Sequence, residues 1–249
     1  MLFVLAPVAG LALGSFANVV AYRLPRKESL VKPRSRCPEC GAQVRAYDNV
    51  PVLSWLLLRG HCRDCDARIS ARYPLVEALM AVLWVAVVLT QDGAASIALG
   101  LAFVTLLVPV AVIDLEYRII PNKLLAPFAV AAVVILAIAD PASLPEHLIA
   151  GAAAGGFFLL AALAYPRGMG MGDVKLAAVM GLYLGRAVAP ALLAALIFGT
   201  VVGLVVIARV GAAAGRKTAV PFGPFLALGG LVGLFAGPAI VDWYLSTFT

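Results

Sequence analysis

Two aspartates stand where a chain this apolar has little reason to keep a charge. Asp114 closes a long apolar run at Val112-Ile113-Asp114-Leu115-Glu116. Asp173 follows Gly168-Met169-Gly170-Met171-Gly172 and precedes Val174-Lys175-Leu176. A carboxylate beside hydrocarbon is costly, and membrane chains that keep one generally use it. Glycines at alternate positions before Asp173 let the backbone leave helical geometry and approach a ligand. Two carboxylates sharing one proton can activate a water and protonate a leaving nitrogen, because two like charges so close do not both ionise. Such a pair titrates as a unit, so neither role is assigned to one residue. Asp114 and Asp173 are the candidate catalytic pair of an amide hydrolase. The competing structural readings are an N-cap for Asp173 and an ion pair of Asp114 with Arg118 or Lys123.

No rival catalytic set stands beside them. The only histidines are His61 and His147. The sequence contains no Gly-x-Ser-x-Gly elbow, no His-Glu-x-x-His and no phosphate-binding Gly-x-x-x-x-Gly-Lys-Ser/Thr. The candidate substrate-binding residues are Gly170, Gly172, Lys175, Glu116 and Glu77. The two glutamates lie in or beside apolar spans and suit a cationic part of a substrate, or equally snorkel to water.

The elements that position these residues follow from composition. The chain is 63% hydrophobic and 13% charged, against about half and about a quarter in soluble domains. Most of the apolar residues come in runs long enough to cross a bilayer. The pattern predicts an all-α polytopic membrane protein with about eight transmembrane helices. Their expected places are 2–22, 75–90, 96–113, 124–139, 147–165, 174–185, 188–208 and 222–245. The expected division is a first transmembrane helix at 1–22, a cysteine-rich segment at 23–73 and a transmembrane peptidase domain at 74–249. The first apolar run lacks a basic start and a small-residue cleavage site, so it is expected to be a retained span. Small residues recur four apart at Gly10 and Gly14, Gly151 and Gly155, Gly181 and Gly185, and Gly229 and Gly233. That spacing lets helix backbones pack closely.

Charge sets the expected orientation. Of the 19 Lys and Arg residues, all but Arg186 fall in loops assigned to one face. Basic residues collect on the cytoplasmic side. Both termini are therefore expected outside, with residues 23–73, Asp114 and Asp173 facing the cytoplasm. The net charge of +6 is accounted for by this bias rather than by nucleic acid.

The 23–73 segment holds all four cysteines, as Cys37-Pro38-Glu39-Cys40 and Cys62-Arg63-Asp64-Cys65. Two Cys-x-x-Cys pairs 21 residues apart are close to zinc-ribbon spacing and offer four thiolates to one tetrahedral ion. A segment this small cannot bury much of a core, and a metal is a common remedy. The expectation is a structural zinc on Cys37, Cys40, Cys62 and Cys65. Four sulfurs leave no open position for catalysis. A pair of disulfides is the alternative, which a reducing cytoplasm disfavours. His61 is expected to be a polar loop residue.

Several motifs together resemble the bacterial type IV prepilin leader peptidase family. Gly170-Met171-Gly172-Asp173-Val174-Lys175 resembles its Gly-x-Gly-Asp signature, and Asp114 followed by Ile120-Pro121-Asn122 its first aspartate motif. Gly14-Ser15-Phe16-Ala17-Asn18-Val19-Val20 with Arg23-Leu24-Pro25 resembles the amino-terminal motif. The cysteine pairs, Tyr47-Asp48-Asn49-Val50-Pro51 and Tyr73-Pro74-Leu75-Val76-Glu77 resemble its cytoplasmic domain. Pro221-Phe222-Gly223-Pro224-Phe225-Leu226 resembles its last-span motif. The similarity runs from about residue 10 to 230 in order. The departure is Ala17, where a larger apolar residue is commoner.

The resemblance implies an aspartic endopeptidase of the inner membrane, with Asp114 and Asp173 as its pair. It implies removal of the basic leader from type IV prepilins or type II secretion pseudopilins, after a glycine and usually before phenylalanine. It further implies methylation of the new amino terminus with S-adenosylmethionine as donor. The four cysteines match the segment that marks bifunctional members. Methyl transfer comes from the resemblance alone, since no Gly-x-Gly-x-x-Gly nucleotide loop follows a strand pattern here. Readings from other classes are a cation-coupled transporter using intramembrane aspartates and a metal-dependent membrane assembly factor.

Overall fold

The computed structural model describes residues 2–165, 169–211 and 220–248. Gly168 of the glycine run, and Arg167, Arg216 and Lys217 of the charge count, lie outside the described residues. The chain forms two compact units, Met1–Thr90 and Gln91–Thr249. Among the described residues there is no sheet, only isolated antiparallel pairs of Arg36 with Gln43 and His61 with Arg68.

The first unit is built on helices α1 (Leu2–Arg23) and α3 (Arg72–Thr90), with a short α2 (Leu53–Leu57) in the segment between them. Gly10 and Gly14 lie against the backbone of α3. A Cβ on either would come within 2.6 Å of a Cα, that of Ala81 or of Glu77. One turn further on, buried Asn18 donates its amide N–H to Tyr73 O at 3.1 Å. The spacing 10, 14, 18 is thus a single helix face, apolar and close-packed until it meets the interhelix hydrogen bond.

The second unit holds α4 (Ala94–Tyr117), α5 (Asn122–Ala139), α6 (Leu144–Ala164), α7 (Met171–Leu184), α8 (Val188–Val210) and α9 (Gly223–Phe248). Helix α4 is the core. Phe103, Leu106, Leu107, Val110 and Ile113 are at most 1% exposed, and their spacing follows one helix face. Asp114 continues that face, so its side chain turns into the unit. Phe103 stacks on Tyr183 of α7 with ring centroids 5.1 Å apart, and Tyr183 donates to Phe128 O at 2.7 Å. Helices α6 and α7 touch at backbone distance, because a Cβ on Gly181 would come within 2.5 Å of Gly151 Cα. Gly233 lets α9 approach α8 in the same way, 2.6 Å from Ala191 Cβ.

Among the described residues seven stretches are long and apolar enough to cross a membrane, which makes this a multi-pass membrane protein. The expected spans 174–185 and 188–208 fall in one of these, Met171–Arg209. That stretch is cut by Gly185, whose φ of 52° with ψ of −135° ends α7 and starts the short turn Gly185–Ala187. Gly185 is therefore a turn residue rather than a packing partner of Gly181. Helix α3, expected at the head of the peptidase domain, belongs to the first compact unit.

Candidate functional site

Asp114 sits in the last turn of α4 and is 5% exposed. The helix stops four residues later at Arg118, which takes a left-handed conformation and returns its N–H to Asp114 O at 2.9 Å. The Asp114 carboxylate oxygen Oδ2 accepts the backbone N–H of Gly223, the first residue of α9, at 2.8 Å. Among the described residues it forms no direct ion pair, although Arg118 lines a cavity with it. A Cβ on Gly223 would lie 2.7 Å from that same oxygen. Only a residue without a side chain brings its N–H so close.

Asp173 stands three residues after Gly170, the N-cap of α7, and its Oδ2 accepts the Gly170 N–H at 3.1 Å. It is thus not the N-cap that the structural alternative made it: it stands at the third helical position and reaches back to the N–H of the N-cap Gly170, and it also faces a cavity. Both aspartates line one space of about 260 Å³, together with Arg118, Ile119, Ile120, Gly170 and Gly172. Gly172 packs on Ile120, and a Cβ there would come within 2.9 Å of the Ile120 Cβ. The glycine run thus lets the first turn of α7 close on the Ile119-Ile120 loop. Each carboxylate keeps one oxygen fixed by a glycine N–H, which orients both groups.

Of the other expected contacts, Gly170 and Gly172 line this cavity. Lys175 is exposed, and its ammonium donates to Asn122 Oδ1 at 3.0 Å, tying α7 to the start of α5. Glu116 is exposed at the end of α4. Glu77 lies in the first unit, 7% exposed, and accepts the Val52 N–H at 2.7 Å. His147 binds Leu182 O through Nδ1 at 2.9 Å. Gly223, Arg118 and Ile119 are cavity or clamp residues that sequence reasoning did not single out for chemistry. The run Pro221-Phe222-Gly223-Pro224 was the signal available for the first.

In the first unit the four cysteine sulfurs lie within 4.8 Å of one another. Tetrahedral zinc with Zn–S near 2.3 Å sets sulfurs about 3.8 Å apart. Cys37 Sγ and Cys65 Sγ are 3.8 Å apart, so the donor set fits that ion. Two similar turns present the sulfurs. Cys37 N–H bonds Ala42 O and Cys62 N–H bonds Ala67 O, at 2.9 and 2.8 Å. Backbone N–H donation from Cys40 holds the Cys37 thiol down at about 7. Ala67 N–H pulls the Cys65 thiol the same way, but burial and the neighbouring thiols push it up to about 12. A cluster so crowded does not lose all its protons without a cation. His61 pairs through its backbone with Arg68 and is outside the sulfur group.

Salt bridges and caps fasten these turns. Arg63 grips Asp48 with two bonds, of 2.9 and 2.6 Å, and holds the Asp48 carboxyl below its ordinary value. Trp55 Nε1 donates to Ile69 O at 3.0 Å. The motifs Tyr47–Pro51 and Tyr73–Glu77 meet where Glu77 caps Val52, a β-branched residue held at φ 61°.

Two family models match the chain: the bacterial peptidase A24 N-terminal domain over residues 8–91 and the type IV leader peptidase family over residues 101–207. A prepilin leader peptidase/N-methyltransferase from Aeromonas hydrophila is 36% identical over 278 residues, covering 99% of this chain and 94% of its own. Those of Legionella pneumophila and Myxococcus xanthus are 33% and 39% identical, covering 98% and 84% of this chain and 94% and 64% of theirs. No solved structure matches.

Proposed function

The chain belongs to the type IV leader peptidase family, and on that premise we propose that it is a membrane aspartic endopeptidase that also methylates its product. The reading rests on one observation above all: Asp114 and Asp173 line the same cavity. One member of the pair, ionised, takes a proton from water as its oxygen attacks the scissile carbonyl. The other, protonated, donates to the carbonyl oxygen; the first then passes the proton it took from water to the leaving nitrogen, and the second regains its own from the collapsing diol. Gly223 N–H and Gly170 N–H keep the two carboxyls aimed throughout. The side-chain-free walls at Gly170 and Gly172 admit an extended peptide backbone. Lys175 and Glu116 lie outside that wall and take contacts beyond the scissile bond, while Glu77 serves first as an anchor for Val52.

The substrates are type IV prepilins or type II secretion pseudopilins, cut after a glycine. The near-total placement of Lys and Arg on one face supports an inner-membrane protein whose aspartates and cysteine segment face the cytoplasm. Cys37, Cys40, Cys62 and Cys65 hold a structural zinc, which the sulfur spacing supports. S-adenosylmethionine supplies the methyl group for the new amino terminus. Mass spectrometry of a co-expressed prepilin reads both activities at once. The expected product lacks its leader and carries one added methyl group. An unprocessed prepilin beside a well-folded enzyme would refute the peptidase reading.

A further inference from the structure

The amino-terminal motif contains a feature that leader cleavage leaves unused. Phe16, Val19 and Arg23 share one face of α1 at spacings of three and four and line a cavity of about 340 Å³ in the first unit. Arg34, Ser35 and Asn49 stand across from them. Arg23 is 8% exposed. Its guanidinium makes one hydrogen bond, to Ser29 O at 3.0 Å, and among the described residues it is in no ion pair. The N–H groups that Arg23 leaves over are reached by solvent, and their planar fork suits a carboxylate or phosphate. Arg34 adds a second, exposed cation on the same cavity.

We propose that this cavity holds the methyl donor, with Arg23 and Arg34 on its carboxylate and Phe16 under its adenine. The inference rests on S-adenosylmethionine being the donor, as read above. The donor carries a flat aromatic base at one end and a carboxylate at the other. From Phe16 to Arg23 the helix face rises about 10 Å, apolar at the first end and cationic at the second. The Phe16 ring is 48% exposed, open to stacking. Ser35 and Asn49 supply uncharged hydrogen-bonding groups along the wall, which a base edge needs and a bare phosphate does not.

The test is equilibrium dialysis of the purified full chain with labelled S-adenosylmethionine and with its decarboxylated analogue. Removing the carboxylate should weaken binding about tenfold or more in the wild type, the usual weight of a charge-assisted bond. In Arg23→Gln that difference should shrink to about twofold or less. Arg34→Gln should reduce it partly. Phe16→Ala should weaken both ligands alike. Monodisperse elution and retained metal report folding, and where Arg23→Gln does not fold the two exposed positions carry the test. A wild-type chain that binds no donor overturns both this site and the donor reading, with leader cleavage untouched. A chain that binds donor while Arg23→Gln, Arg34→Gln and Phe16→Ala all keep full discrimination and affinity overturns the site alone. Phosphatidylglycerol seen in native mass spectra of the wild type and lost in Arg23→Gln, with donor binding unchanged, would reassign the cavity to lipid and also overturns it.

Discussion

The cysteine segment and the carboxylate cleft both gather polar groups far apart in the chain, and they hold them by different means. Cysteines 28 positions apart meet through their own side chains, helped by the Arg63–Asp48 fork in water-exposed turns. Aspartates of the second unit are held by backbone N–H groups of Gly170 and Gly223, in a unit whose core helix buries Phe103, Leu107 and Ile113 almost wholly. The first device suits a segment with little core, because ligands and ion pairs replace packing. The second suits an apolar surrounding, where a neutral donor orients a carboxylate without cancelling its charge. Damage should therefore be graded in the segment and abrupt in the cleft.

The sharpest way to break this contrast is at the carboxylates. Asp114→Asn or Asp173→Asn should lower leader cleavage by about 10³-fold or more, with the double variant little worse. Near-normal turnover in either would end the paired mechanism. Next comes Gly223→Ala, which places a methyl group where Asp114 Oδ2 now sits 2.7 Å away. A displaced carboxylate should cut kcat about 10²-fold with KM little changed. If steady-state kinetics show a normal kcat, the backbone clamp is not what aims Asp114.

The segment should respond less steeply. Cys62→Ser opens the sulfur cluster and loosens the turns it closes. The mature pilin should be processed but lack its methyl group, as read by its mass, and metal content should fall on elemental analysis. Equal loss of both activities would show that the two regions do not fail independently. The smallest effect belongs to the Asp48–Arg63 fork. Asp48 has its carboxyl lowered by Arg63, so its contribution is full above the ordinary carboxylate range, near pH 4. It is lost as pH falls through the lowered folded value. Asp48→Asn should lower the melting point slightly at neutral pH, where the contribution is full, and the difference from wild type should vanish as pH falls through the lowered folded value. A large drop at neutral pH would mean the exposed fork matters more than exposed pairs usually do.

What could be read from the chain alone divides along the same line. Asp114 and Asp173 were legible because carboxylates are rare in apolar runs, and the cysteines because their spacing is that of a ligand set. The close α1–α3 contact was legible in the spacing of Gly10 and Gly14. Gly223 was not read as a clamp, because a backbone N–H has no side-chain signature and its partner lies 109 positions away. Gly185 looked like a packing glycine from its spacing to Gly181, and only its φ of 52° makes it a turn. Glu77 was read for charge near a membrane face. Its partner is the N–H of Val52, a residue whose positive φ of 61° no propensity for valine would suggest.

The shortness of α7 carries a consequence for the lipid. Its 14 residues rise about 21 Å, whereas a hydrocarbon core is about 30 Å thick. The helix that begins beside Gly170 is thus about a third too short to cross an undisturbed bilayer by itself. Either the leaflet dips to meet Asp173, or the aspartate and its water lie below the headgroups and the peptide must be drawn down to them. In both cases membrane thickness becomes a variable of the reaction. Lipids with shorter acyl chains should lower the work of bringing solvent, substrate and carboxylates to one depth, so on the proposed reading leader cleavage should speed up as the bilayer thins.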